Sequence, residues 1–232
     1  DTTVIKLNKD IKNADSIITI HYNNIGLRGP DFDSGDSGCY RIITIGGSTT
    51  ACSLLSDGKD WTSLLGRYLN AGDNRIWINN GGVDGMTTLG STIRMNNLIR
   101  RVKPDLFIFL VGRNEMTPEG ISYNEYLKRI DASENTSFFR KFKFVQLIGN
   151  VYSTKMNNDY NFRHYNLELN ACDSLKLTDK EMGTFLKERI KSVSDYELKI
   201  RHIIKLCSEN GVKLILITQP TLIGDKYEVN SG

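Results

Sequence analysis

Apolar positions in this chain alternate between two rhythms. Arg41–Ile45 is a compact apolar run that ends in two glycines, and Asp105–Val111 is a second run, unbroken after its Asp. Such runs are what parallel strands buried on both faces look like. Between and after them the period changes. Asp60–Leu69 places Trp61, Leu64, Leu65 and Tyr68 at helical spacing, and Met86–Val102 predicts a second helix that Pro104 terminates. Arg75–Ile78 is a short strand between the two. Thr178–Glu209 carries Met182, Phe185, Leu186, Ile190, Val193, Tyr196, Ile200, Ile203, Ile204 and Cys207 at three- and four-residue steps, and Asn210-Gly211 ends it. Val212–Thr218 then predicts another buried strand. Strands alternating with helices imply a parallel sheet with right-handed crossovers.

Two segments break the rhythm. Residues 1–39 form an irregular lead-in with a short strand at Ser16–Tyr22, a turn-rich Asn24-Ile25-Gly26-Leu27-Arg28-Gly29-Pro30 and a loop at Ser34–Gly38. Residues 134–177 are rich in aromatics, among them Phe138, Phe139, Phe142, Phe144, Tyr152, Tyr160, Phe162 and Tyr165. They are expected to be an insertion, either a lid or wall over an active site or a peripheral flap packed on its own rings. The domain proper then spans 40–232.

Composition narrows the function classes. The 232 residues are 39% hydrophobic and 25% charged, ordinary for a globular domain with a real core. The net charge of +3 is too small to argue for nucleic acid or a membrane surface, and no apolar run approaches the ~20 residues of a membrane-spanning helix. Cys39, Cys52, Cys172 and Cys207 form no Cys-x-x-Cys pair, which argues against zinc and favours buried thiols over disulfides. The stretch Phe138-Phe139-Arg140-Lys141-Phe142-Lys143-Phe144 is expected to be an amphipathic edge rather than a membrane or nucleic-acid contact.

In open parallel sheets, ligands bind at the carboxyl ends of the strands. Gly46-Gly47-Ser48-Thr49-Thr50 follows the first strand, Asn79-Asn80-Gly81-Gly82-Val83-Asp84-Gly85 the second and Gly112-Arg113-Asn114-Glu115 the third. Together they offer a hydroxyl, bare backbone donors and a side-chain amide, which are the parts of an acyl-transfer site. Taken alone, the first segment could instead hold a phosphate at a helix N-terminus, though it lacks the P-loop and dinucleotide patterns. Asn114 taken alone could simply cap the following helix.

These three blocks, in order and spacing, resemble the first three blocks of the SGNH hydrolases, also called the GDSL esterase/lipase family. Asn24–Pro30 resembles the lead-in of one bacterial branch of it. The resemblance spans roughly residues 24–115, with a weaker match at Val212–Pro220. It implies a three-layer α/β/α sandwich with a parallel, flavodoxin-like sheet. It also implies Ser48 as nucleophile, Gly85 as backbone oxyanion donor and Asn114 as side-chain donor. Gly47 stands where many members have Asp, and Glu115 replaces the Asp that usually follows the asparagine, so Glu115 is expected to be a hydrogen-bond partner rather than a catalytic acid.

The implied activity is hydrolysis of an ester through an acyl-enzyme, with acetyl on a carbohydrate or similar polyol as the family's suggestion for substrate. No metal or cofactor is needed, and the partner is a small-molecule or glycan ester. The same site could pass the acyl group to a sugar hydroxyl, making an O-acyltransferase, or the fold could serve as a binding module without turnover. The family's Asp-x-x-His block, whose histidine is the general base, is absent. His21 and His202 are expected to be structural, and His164 is either structural or a lid residue that touches substrate. The chain is therefore expected to be the N-terminal part of a longer hydrolase, inactive or nearly so by itself.

Overall fold

The computed structural model describes residues 2–6, 17–35, 38–70, 75–115, 121–136 and 179–218. Four parallel strands form the central sheet: β3 (Tyr40–Gly46), β4 (Ile76–Asn80), β5 (Leu106–Leu110) and β6 (Lys213–Leu216), in the spatial order β4-β3-β5-β6. Counting only these strands, the order is 2-1-3-4, the doubly wound flavodoxin-like arrangement.

The period-2 alternation of β3 and β5 builds two cores. Ile43, Ile45, Phe107 and Phe109 point to one face, against Met95, Leu98 and Val102 of α3 (Thr88–Val102) and Ile203 and Cys207 of α5 (Asp179–Glu209). Ile42, Ile78 and Ile108 point to the other face, against Trp61, Leu65 and Leu69 of α2 (Trp61–Leu69). Helices thus cover both faces, giving three α/β/α layers. The starts of α2 and α3 are capped by side chains. The Asp60 side chain accepts from the Ser63 N–H, and Thr87 does the same for Gly90. Lys103 ends α3 in the left-handed conformation, one residue before Pro104.

Several expectations need correction. The lead-in is more regular than its sequence suggests: β1 (Thr2–Lys6) pairs antiparallel with β2 (Ile17–His21) in a separate two-stranded sheet. β4 runs through Asn80, so Asn79 and Asn80 are sheet residues rather than loop. A helix that periodicity did not predict, α4 (Tyr123–Thr136), runs into the start of the expected insertion, and of its described side chains it buries Tyr126 and Ile130. β6 is not a buried strand. It pairs with β5 on one edge, and Ile215 and Leu216 remain 47% and 46% exposed. Its Leu214 alone reaches the core under α5. On α5 the buried stripe runs through Lys199, Ile203 and Cys207, leaving Val193 and Ile204 in solvent. Cys39, Cys52 and Cys207 form no disulfide with one another, and of these three Cys207 alone is buried. Residues 137–178, which include most of the aromatic segment, Cys172 and His164, lie outside the described residues.

Candidate active site

In a doubly wound sheet the strand order reverses between the first and third strands, and the loops diverge there to leave a crevice. Here that point lies between the carboxyl ends of β3 and β5. The structure has a small cavity of about 30 Å³ there, lined by Gly47, Ser48, Thr49, Met86, Leu110, Val111, Gly112 and Asn114. The first and third of the loops singled out in the sequence contribute to it directly, and the second reaches it through Met86, the residue that follows Gly85.

Ser48 opens a single helical turn, α1 (Ser48–Ala51), directly after β3. Thr50 and Ala51 both donate to the Gly47 carbonyl at 2.9 Å, so the turn closes behind the serine. As the first residue of a helix, Ser48 has no intrahelical acceptor for its N–H, and its side chain is exposed. The approach to this turn leaves no room for a side chain at Gly46 and crowds Gly47. A Cβ on Gly46 would run into the Thr50 hydroxyl and come 2.5 Å from the Leu110 carbonyl, and one on Gly47 would sit 2.9 Å from the Asn114 amide nitrogen. The same figure places the Asn114 amide against the residue that precedes Ser48.

Asn114 lies in a short 3₁₀ turn, Arg113–Glu115, after β5. Its Nδ2 donates to the Met86 carbonyl at 2.9 Å. A carboxamide carries two N–H bonds, so this contact orients the group and still leaves one donor for a ligand. Gly85 is one residue before Met86, in a turn closed by Met86 N–H donating to Val83 O at 3.1 Å, and has φ +72°. It does not itself line the cavity; Met86 does. Gly82, the other glycine of this loop, is a packing position, because a Cβ there would collide with the backbone of Thr50 and Ala51. The cavity therefore brings Ser48 and Asn114 together, with Gly85 beside it.

The two described histidines are engaged elsewhere. His21 Nδ1 pairs with Asp57 Oδ2 at 2.5 Å, and His202 packs edge-on against Tyr126 with ring centroids 5.4 Å apart. Burial holds the His202 imidazole below its ordinary pKa. Among the described residues no histidine lines the cavity. Cys52, which follows α1, is no rival nucleophile: burial raises its thiol pKa, and its Sγ donates to the Thr49 carbonyl.

Three residues that hold this site escaped notice in the sequence. Arg28, 4% exposed, reaches from the lead-in and donates to the carbonyls of Ala51, Cys52 and Leu55 at 3.1, 3.3 and 2.7 Å and to Asp57 Oδ1 at 3.1 Å. It ties down the end of α1. Lys199 of α5 pairs with Glu115 Oε2 at 3.0 Å, and Glu115 Oε1 accepts from the Thr88 N–H. Tyr196 of α5 donates to Val111 O at 2.9 Å. Glu115 is thus a buried bridge, as its place beside Asn114 had suggested. The signal available for Lys199 was a charged residue on the apolar stripe of a helix. For Arg28 it was the conjunction with Gly26, Leu27 and Gly29.

No family model matches the chain, and no characterised protein matches it in sequence. Solved structures similar to it are esterases and lipolytic proteins. The psychrotrophic esterase EstA from Pseudoalteromonas sp. is 20% identical, with 42% of this chain and 54% of that one covered and a TM-score of 0.33. A member of the lipolytic protein G-D-S-L family from Veillonella parvula is 19% identical, covering 41% and 52% with a TM-score of 0.30. A carbohydrate acetylesterase family member from Sinorhizobium meliloti is 21% identical, covering 41% and 52% with a TM-score of 0.29. The chain spans about half the length of each.

Proposed function

We propose that this chain supplies the nucleophile and oxyanion-binding half of a serine esterase of the SGNH type. The observation that carries the proposal is the shared cavity: an exposed serine at the N-terminus of a helical turn and an oriented carboxamide line one small pocket at the reversal point of the sheet.

In this mechanism the Ser48 Oγ attacks the ester carbonyl carbon and its proton passes to a general base. The carbonyl oxygen becomes an oxyanion, which accepts from the N–H groups of Ser48 and Gly85 and the second N–H of Asn114. Collapse of the intermediate breaks the bond to the alcohol, which leaves with the proton held by the base. Water then attacks the acyl-Ser48 by the same route and frees the acid. The proposal assigns the base to a histidine outside the described residues. The suggestion of a small acyl group such as acetyl rests on the family resemblance.

The test uses the full-length protein and a fluorophosphonate, which modifies an activated serine. Wild type is expected to label and Ser48→Ala not to. An unlabelled wild type, or equal labelling of the variant, would defeat the assignment. Asn114→Ala is expected to lower kcat by on the order of a hundredfold, the usual cost of one oxyanion donor. Supplying a polyol acceptor during turnover of p-nitrophenyl acetate separates hydrolysis from transfer: acetylated polyol in place of acetate would make the protein an acyltransferase.

A further inference from the structure

We propose that Tyr196 and Lys199 of α5 are positioning residues for Asn114, acting through the Val111 carbonyl and the Glu115 carboxylate. This rests on the esterase proposal for the importance of Asn114, but the contacts stand without it.

The turn that carries Asn114 has little to hold it from within. Its own closing hydrogen bond is Glu115 N–H to Gly112 O at 3.1 Å. The remaining anchors are side chains from elsewhere. Tyr196 stands directly over Gly112, where an added Cβ would meet its hydroxyl at 3.3 Å, and that hydroxyl donates to Val111 O. One helical turn further on, Lys199 meets Glu115 at 3.0 Å with both side chains buried, 3% and 9% exposed. The other carboxylate oxygen takes the Thr88 N–H, the first residue of α3. Thr88 is two residues beyond Met86, whose carbonyl orients the Asn114 amide. Glu115 and Asn114 therefore fasten the same two loops to each other at neighbouring points, and α5 fixes the pair to the sheet.

Spacing of three residues puts Tyr196 and Lys199 on one face of α5. A buried ion pair is a poor way to gain stability, because a hydrophobic pair of equal volume commonly does as well or better. Its value is directional: the Glu115 carboxylate has defined partners on two sides, so the residue before it is held at a defined angle. The extra methylene of Glu over Asp lengthens the reach of this bridge.

Two variants test the assignment in the full-length protein. Tyr196→Phe deletes one hydroxyl, and Lys199→Met combined with Glu115→Gln removes both charges without stranding either. The readouts are kcat and KM on p-nitrophenyl acetate, thermal stability, and the Asn114 side-chain amide resonance, assigned by its loss in Asn114→Ala. Displacement of an oxyanion donor acts on the transition state, so kcat is expected to fall about tenfold with KM within about twofold. The Asn114 resonance should shift in both variants. Lys199→Arg, which keeps the charge, should retain more activity than Lys199→Met. Wild-type kcat with an unshifted resonance in folded variants would overturn the assignment. So would lowered thermal stability without any change in the resonance. If the double variant does not fold, Tyr196→Phe decides alone. If wild type shows no turnover, the esterase proposal fails, and the Asn114 resonance still reports whether α5 positions that turn.

Discussion

Arg28→Met should destabilise the protein by about 4 kcal/mol. Methionine keeps most of the length and the apolar stem of arginine, so packing is largely preserved and the change isolates the guanidinium. That group makes hydrogen bonds to three main-chain carbonyls and to Asp57 Oδ1, and lies 3.6 Å from Asp60 Oδ2. Hydrogen bonds from a charged donor contribute about 1.5–3 kcal/mol each. The three carbonyl contacts alone would then sum to roughly 4–9 kcal/mol gross, before two offsets. The variant no longer desolvates a cation, and Asp57, 37% exposed, can turn to water. Asp60 is fully buried and cannot. A net loss of about 3–5 kcal/mol is typical when one member of a buried charged pair is removed.

The consequence should be local as well as global. A four-residue helix has no cooperative stability of its own. Its end is held by the Arg28 contacts to Ala51 and Cys52, so Ser48 should lose its fixed approach before the sheet unfolds. Urea denaturation of the full-length protein measures the global part. With a slope of about 2 kcal/mol per molar, the midpoint should fall by about 2 M. Arg28→Lys keeps the charge, but a single ammonium cannot span four acceptors, so it should lose about half as much. The fluorophosphonate labelling rate of folded Arg28→Lys measures the local part and should be reduced. A loss below about 1 kcal/mol in Arg28→Met, with an unchanged labelling rate in Arg28→Lys, would show that the carbonyls are satisfied without the guanidinium.

The two glycines of the β4 loop should separate packing from catalysis. Gly82→Ala puts a Cβ 2.7 Å from the Thr50 carbonyl carbon and 2.9 Å from the Ala51 Cα, so it should lower stability by about 1–3 kcal/mol in a melting experiment. Gly85→Ala meets open space but must hold φ near +72°, costing about 1–2 kcal/mol, and its main effect should be on kcat. His202 titrates below its ordinary value of 6.5, chiefly through burial and then Lys205, against the opposing pull of Glu209, Asp131 and Glu134. The unfolded chain therefore binds the extra proton first. Stability should decline as pH drops through the region below 6.5, and His202→Gln should flatten that slope in denaturation curves taken across it. Burial raises the Tyr126 phenol well above 10, with the Thr92 contact at 2.7 Å opposing the shift in part. The neutral form is the one stabilised, so stability should erode as pH rises above 10. Tyr126→Phe should remove that alkaline loss, which alkaline unfolding monitored by circular dichroism would show.

Elements that bury apolar residues at a regular period were legible in the sequence, because period 2 and period 3.6 are imposed by the backbone itself. β3, α3, β5 and the length of α5 fall in this class, and α2 in part: Leu64 and Tyr68 of its expected stripe are exposed, and Trp61, Leu65 and Leu69 make its contact with the sheet. Elements with little burial were not. β1 is almost wholly exposed, so nothing in its sequence alternates toward a core. α4 buries Tyr126 and Ile130 at one i,i+4 step and otherwise presents polar residues, too narrow a stripe to announce a helix. β6 has the apolar content of a central strand, but neighbour pairing, which composition does not encode, leaves it paired on one side among the described residues.

The site divides along the same line. Ser48 and Asn114 were visible as candidates because of a local fact: each lies just past a strand in an open parallel sheet, where ligands bind. Arg28, Glu115 and Lys199 obey a different logic. Lysine and arginine are read as surface residues by default. What makes these two interior is a set of partners 29 residues away for Arg28 and Asp57, and 84 residues away for Lys199 and Glu115. No window of sequence contains both ends of such a contact. The two clamps also divide the work between them. Arg28 fixes the loop that leaves Ser48, and Lys199 with Tyr196 fixes the loop that carries Asn114. A serine and an amide supplied by different strand ends keep a constant separation only if both loops are fastened independently to the same sheet. Candidate site residues can therefore be proposed from local pattern, while Arg28 and Lys199, which fasten the loops around them, are found only from the fold.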